Sequence, residues 1–339
     1  MILHRFVGNY LKEIMKFKYI AFLFCFIPIL GLAGSQSDLN YDYLKYHQQI
    51  AEAEKQIADE NFREALNMYD EDFEAYDFIF SRDYKIAAQL ALSLDERQRA
   101  FQYIKDGITA GWDFKELKKD KFLAPLQDDP EWKTIEEEDD SLHHKYLERI
   151  DQDIREKVRG MFKKDQWKAL GAFIRIGEKA KERYAMNKFA PHSEIQMAEL
   201  IMILENNGYP GEKLIGNDFW MSTIISHHNS ISRQYSKKDT LYASIKPKLI
   251  QAIERGEMSP YEYALIDDWY KAVISDRTEP GYGFLTPPVK SSLSITNDLR
   301  QKIGLRSIEL RNELVDVEEK RGMNFYLPDW VEGKITIKN

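Results

Sequence analysis

The chain has 339 residues, enough for two domains of ordinary size, and its 17 glycines and 11 prolines are few for that length. Helix-forming residues are plentiful, so the composition predicts an all-α protein. The net charge is −8 and basic residues are spread along the chain, which argues against a nucleic-acid-binding surface. The one cysteine, Cys25, excludes a disulfide framework and a zinc–cysteine site.

The N-terminal region has the pattern of a secretory signal. An uncharged apolar run from Tyr19 to Gly34 follows Lys16 and Lys18 and precedes polar residues. The run is shorter than the roughly 20 residues of a spanning helix, and Ala33 lies in a small-residue pattern typical of a cleavage site. We therefore expect residues 1–34 to be a cleaved signal peptide and the body to be periplasmic or extracellular. The alternative is an uncleaved N-terminal membrane anchor.

Two further expectations concern the same region. The segment beginning at Met15, MKFKYIAFLF, is a complete signal with its own basic start, so we expect translation to begin there. Phe24 precedes Cys25, at a position where a lipoprotein signal carries a small residue. Lipid attachment at this cysteine is therefore not expected.

Residues 39–135 contain an internal similarity. Matching residues lie 35 positions apart: Ala53 and Ala88, Ala65 and Ala100, Leu66 and Phe101, Tyr69 and Ile104. This spacing is close to that of helix-pair repeats, and the segments NFREALNMY and RQRAFQYI resemble the second helix of a tetratricopeptide repeat. The resemblance implies stacked helix pairs, which bind peptides in many proteins and serve only as spacers in others.

The segment GWDFKELKKDKFLAPLQDDPEW resembles the closing module of bacterial tetratricopeptide arrays. The resemblance rests on Gly111, Leu117, Asp120, Leu123, Leu126, Asp129, Pro130 and Trp132. The acidic run EEEDD at 136–140 then predicts either a solvated linker or the start of the next helix. We place the domain boundary at this run.

Residues 141–320 resemble an uncharacterised family of bacterial domains of unknown function. The similar blocks are DQDIR at 151–155, EIQMAELIMILENNGYPGEKLIG at 194–216, FWMSTIISHHNS at 219–230, the segment 245–269, Tyr282-Gly283, and NDLRQKIGL at 297–305. The family commonly has Asp-Arg in the fourth block, where this chain has Asp267, Asp268 and Trp269. The resemblance implies a helical domain and no particular activity.

Five polar residues of this second domain are candidates for a catalytic or binding site. His227 and His228 border the apolar face of one predicted helix, and Asp267 and Asp268 lie in the middle of another that is apolar nearly all round. A buried carboxylate needs a partner, so one hypothesis pairs a histidine with one of these aspartates beside Tyr282, as a base, its orienting carboxylate and a hydroxyl. A metal site of His and Asp is a variant. The competing interpretation is a structural His–Asp contact in the core.

The sequence contains no phosphate-binding glycine loop and no familiar catalytic signature, so no cofactor or metal is expected. Two functional hypotheses remain. The first is an exported interaction or scaffold protein that docks another envelope protein or a peptide. The second is an envelope enzyme or small-ligand binder that uses the five candidate residues. The tail, 321–339, alternates apolar and polar residues near its end and is predicted to form a short strand or to cap the helical body.

Overall fold

The computed structural model describes residues 42–327 and 333–339; the expected signal peptide, Met15 and Cys25 lie outside them. In the described residues the regular secondary structure is helical, apart from one isolated bridge between Val289 and Lys338, and the all-α prediction is confirmed. The described residues belong to one compact unit. Across the described ranges, no helix combines the length and the apolar character needed to cross a membrane.

Four helices begin this unit, and each packs against the next in the chain: α1 Tyr43–Ala58, α2 Phe62–Ala75, α3 Ser81–Ser93 and α4 Arg97–Thr109. The eight residues that match at a spacing of 35 positions are all buried in these helices. The alanines among them present only a methyl group at the contacts, which lets neighbouring helices approach closely. The internal similarity therefore falls on residues that pack one helix on another.

Two aspartates start the next helices, α5 Phe114–Leu117 and α6 Pro130–Arg149. The side chains of Asp113 and Asp129 accept hydrogen bonds from the free backbone N–H groups of α5 and α6, respectively. The acidic run at 136–140 lies inside α6, so it is neither a linker nor a helix start. Buried Ile135 and Leu142 flank the run and anchor α6 to the first core, while its carboxylates face solvent.

The remaining helices follow in chain order: α7 Gln152–Phe173, α8 Glu178–Tyr184, α9 Ala190–Asn206, α10 Glu212–Ile215, α11 Trp220–Asn229, α12 Arg233–Ser236, α13 Leu241–Glu254, α14 Pro260–Ser275, α15 Leu293–Gln301 and α16 Ile308–Arg321. A π-helical turn joins α8 to α9. Asp151 caps α7, and Ser259 with Glu262 forms a reciprocal capping box at the start of α14.

Two large hydrophobic cores and one small cluster around Phe189, Ala190 and Ile231 lie in the described residues. The first lies among α1 to α6, and Leu314 and Val317 of α16 join it together with Phe325. The second lies among α7, α9, α11, α13 and α14. The chain thus returns at its end to pack α16 against α1. In the tail, Asn312 of α16 exchanges two hydrogen bonds with the backbone of Ile335, so residues 333–339 cover this helix and form no strand beyond the single bridge.

Candidate functional site

His227 pairs with an aspartate of another helix. Its Nδ1 lies 2.5 Å from Oδ2 of Asp165, a fully buried residue on α7. Burial alone would lower the pKa of His227, but the Asp165 carboxylate raises it above its ordinary value. The contact is a His–Asp pair of the predicted kind, although the aspartate is neither Asp267 nor Asp268.

His228 lies between a serine and a second aspartate. Its Nδ1 is 2.9 Å from the hydroxyl of Ser193, and its Nε2 is 3.3 Å from Oδ2 of Asp239. In serine hydrolases the carboxylate holds Nδ1 and the nucleophile faces Nε2, which is the reverse arrangement. Ser193 and His228 are also closed off from solvent. The trio therefore joins α9, α11 and the start of α13 as a buried polar contact.

Asp267 accepts hydrogen bonds from two side chains of α13. The Tyr242 hydroxyl lies 2.8 Å and Lys246 Nζ 2.6 Å from its Oδ1, and Lys271 Nζ lies 3.4 Å from Oδ2. The same lysine stands 4.9 Å from the centre of the Tyr282 ring. Asp267 and Tyr282 thus share Lys271 as a neighbour. The buried Asp267 carboxylate, which the sequence analysis expected to need a partner, is paired with Lys246 and Lys271.

Asp268 holds the loop that follows α14. Its carboxylate accepts hydrogen bonds from three backbone N–H groups, those of Tyr282 at 2.5 Å, Phe284 at 2.8 Å and Leu285 at 3.3 Å. Burial raises the pKa of Asp268, and the three donors act against that rise. From the other side, Arg300 of α15 donates to the Tyr282 carbonyl at 2.7 Å. Asp267, Asp268 and Tyr282 are thus neighbours, because Asp268 binds the Tyr282 backbone and Lys271 lies beside both Asp267 and the Tyr282 ring. His227 and His228 pair with other aspartates instead.

An open pocket lies elsewhere in the described part of the chain. A pocket of about 290 Å³ separates the N-terminal helices from the C-terminal segments, a size and position common for small-ligand sites. Helices α1 and α3 form one wall, and the opposite wall comes from α10, the loop 216–219, the start of α14 and residues 304–306. We call this the junction pocket.

Buried charges stiffen the first wall of the junction pocket. Glu54 of α1 is almost completely buried and binds two arginines: Arg82 Nη2 lies 2.6 Å from Oε1, and Arg306 bonds to Oε2. Arg82 also donates to the Phe325 carbonyl at 3.0 Å. Asp83 accepts the Tyr46 hydroxyl at 2.6 Å. Because these charged groups bind one another, they fix the shape of the wall and offer few free hydrogen-bonding atoms to a ligand.

Lys85 differs from its neighbours in the wall. Its Nζ lies 5.4 Å from the Trp112 ring centre and 5.0 Å from that of Tyr326. In the described ranges no carboxylate is within ion-pair distance of this amine; Glu212 and Asp120 act on it only from farther away. Burial lowers the pKa of Lys85. The pocket therefore contains a desolvated amine without a close counter-ion.

Two carboxylates of the opposite wall lack close cations as well. Glu212 accepts the backbone N–H of Ser81 at 2.6 Å, and Glu262 accepts the Tyr209 hydroxyl at 3.2 Å. Burial raises the pKa of both, that of Glu262 to about 7. Neither forms an ion pair with a basic side chain among the residues that the structure describes. Titratable groups with perturbed pKa values in one cleft mark a candidate functional site.

His47 completes the pocket lining. Its Nε2 is buried and has no hydrogen-bond partner among the residues that the structure describes, and burial lowers the pKa of His47 to about 3. The ring is therefore neutral at physiological pH. Throughout residues 42–327 and 333–339, no group of three His, Cys, Asp or Glu side chains is arranged to hold a metal ion.

The junction pocket was missed by the sequence analysis because its residues come from distant parts of the chain. Lys85 and Glu212 occupy ordinary helical positions. The one local signal is the capping box SPYE, which predicts a structural role for Glu262 at the start of α14. It does not show that Glu262 also lines a pocket. Neither models of known protein families, nor curated proteins, nor solved structures show a significant match to this chain.

Proposed function

We propose that the protein is an exported binding protein that takes a small zwitterionic ligand, of the size of an amino acid or dipeptide, into the junction pocket. The observation that carries the proposal is the presence, on facing walls, of opposite charges that form no ion pair among the described residues. Half-buried Lys85 lies on one side, and half-buried Glu212 with buried Glu262 lies on the other. A ligand carboxylate at Lys85 and a ligand ammonium at the glutamates would supply the missing charges. Export rests on the N-terminal segment, which lies outside the described residues.

The size and lining of the pocket support a small ligand. Its volume of about 290 Å³ is at the lower end of the range for ligand sites, and Phe80 and Tyr261 add apolar surface between the charges. The helix repeats were predicted to bind another protein or a peptide. Helices α1 and α3, which belong to the repeat region, also line the junction pocket. Residues 304–306 and Tyr326 also line it from the C-terminal side, which narrows the space open to an extended peptide.

The test is a binding screen with the standard amino acids and simple dipeptides, followed by calorimetry on those that raise the melting temperature. We expect Lys85→Met and Glu262→Gln each to weaken binding by about tenfold or more, since each removes one charged partner of the ligand. Affinity should rise with pH through about 7, because the Glu262 carboxyl must be ionised to bind an ammonium group. Lys133→Met, at an exposed position of α6, is the matched control.

Stability measurements distinguish lost binding from lost folding. Glutamine keeps the capping hydrogen bonds of Glu262 and carries no charge, so above pH 7 the Glu262→Gln protein should be as stable as the parent or up to about 3 kcal/mol more stable. The proposal is abandoned if none of these compounds raises the melting temperature. It is equally abandoned if the pocket variants bind as the Lys133→Met control does.

A further inference from the structure

A basic helical hairpin stands out against the acidic body of the protein. Residues 162–189, which we call the basic hairpin, contain eight lysines and arginines and three acidic residues, for a net charge of +5 in a chain whose total is −8. One of the three acids, Asp165, is buried against His227. The solvent-facing charge of the hairpin is therefore even more positive than its composition indicates.

The chain reverses direction within this segment. Helix α7 ends near Ile174, Gly177 adopts a left-handed backbone conformation with φ +87°, and α8 begins at Glu178. The Tyr184 hydroxyl then reaches back to the Lys168 carbonyl at 3.1 Å. No residue of α8 is buried. The hairpin is thus closed at its base by Tyr184, and its turn carries no contact with either hydrophobic core.

Large apolar side chains are exposed at this turn. Trp167 and Ile174 lie two helical turns apart on one face of α7 and are 74% and 62% exposed, and Ile176 in the turn itself is 94% exposed. They are surrounded by exposed basic residues: Lys163, Lys164, Arg175, Lys179, Lys181 and Arg183. Exposed aromatic and aliphatic side chains flanked by lysine and arginine are typical of segments that lie at a membrane interface.

We propose that the basic hairpin inserts its turn into the surface of an anionic lipid bilayer. The isoleucines and Trp167 would enter the boundary between headgroups and acyl chains, while the surrounding lysines and arginines contact anionic headgroups. The positive hairpin on a negative body also orients the protein, since a bilayer of negative charge repels the remainder of the surface. This interaction is independent of the junction pocket.

The shape and chemistry of the hairpin favour a bilayer over other acidic partners. Its apolar side chains sit at a projecting turn, and a fluid bilayer admits such a turn without the matching cavity that a protein partner would need. Nucleic acid would use the basic side chains and leave the isoleucines in water. A lipid surface can bind the basic side chains through its headgroups and take up the isoleucines at the same time.

The test measures co-flotation of the full chain with vesicles of phosphatidylcholine alone and of phosphatidylcholine with an equal share of phosphatidylglycerol. Amide hydrogen exchange of the hairpin, with and without vesicles, locates the contact. We expect binding to the anionic vesicles and slowed exchange across the turn. The double substitution Ile174→Ser/Ile176→Ser and the charge reversal Lys179→Glu/Lys181→Glu should each lower partitioning by about tenfold or more. All four side chains are exposed, so folding should be unchanged.

Ile195→Ser is the matched control, because Ile195 is 65% exposed on α9, outside the hairpin, and its loss should leave partitioning unchanged. Binding that persists in both double variants would place the contact elsewhere in the chain and overturn the proposal. Equal binding to neutral vesicles would overturn the role of charge. Loss of binding by charge reversal alone, without any effect of the isoleucines, would show a purely electrostatic contact with the headgroups and would overturn the insertion.

Discussion

Replacing Asp268 with alanine is expected to lower the free energy of unfolding by about 4 kcal/mol. The carboxylate accepts three backbone N–H groups of the loop after α14, and its loss leaves these buried donors without a partner. Relief from burying a charge offsets part of the cost, because burial raises the pKa of Asp268. Urea unfolding followed by circular dichroism measures the difference.

Asp298→Ala is the control for this prediction, since Asp298 is exposed on the nearby helix α15 and its removal should change stability by less than about 0.5 kcal/mol. Gly281→Ala tests the same contact from the loop side. A Cβ at Gly281 would lie 1.9 Å from Asp268 Oδ1, so this variant should also be destabilised. A loss at Asp268→Ala no larger than that of the control would show that the carboxylate does not hold the loop.

Substituting His47 with glutamine is expected to weaken the acid sensitivity of folding. Burial lowers the pKa of His47 from 6.5 to about 3 in the folded protein. Between these values the unfolded chain binds a proton that the folded protein does not, so stability is fully present above pH 6.5 and is lost as the pH falls toward 3. This shift in pKa lowers the free energy of unfolding by up to about 4 to 5 kcal/mol at low pH. Glutamine is neutral at every pH, so the variant should not show this loss.

The measurement is urea unfolding at several pH values between about 4 and 8 for parent and variant. Buried carboxyls act in the opposite sense: burial raises the pKa of Asp72 and of Glu262 to about 7, which favours the folded state as the pH falls. Both proteins contain these groups, so the difference between their slopes isolates His47. His144→Gln, at an exposed position of α6, should reproduce the parent slope. Identical slopes for the His47 variant would contradict the buried, neutral histidine.

The composition predicted the all-α class correctly, and in the structure short polar side chains begin several of the helices. Asp129 with Pro130 begins α6, and Asp151 begins α7, because short polar side chains satisfy the free N–H groups of a first helical turn wherever they occur. The acidic run at 136–140 was misinterpreted for a related reason. Charge repulsion along a helix is weak in water, and two buried apolar residues beside the run outweigh it.

The chemistry of the candidate residues was predictable, but their partners were not. An aspartate in an apolar helix must be compensated, and Asp267 is, by Lys246, Lys271 and a tyrosine hydroxyl. The periodicity of α11 placed both histidines near its apolar face, and both are paired with aspartates. Which aspartate each one meets depends on how α7, α9 and α13 pack around α11, and a single sequence without a homologous alignment contains no record of those contacts.

By itself the sequence determined the helices, their caps and the requirement that buried charges be paired, because these follow from interactions within a few residues of the chain. Only the tertiary structure decided the junction pocket and the exposure of the basic hairpin. Lys85, Glu212 and Glu262 become neighbours when the C-terminal segments return to α1 and α3. Trp167 and Ile176 stay exposed because no other described helix covers the turn of the hairpin. Burial and proximity across long stretches of chain are collective results of packing, so local residue patterns do not specify them.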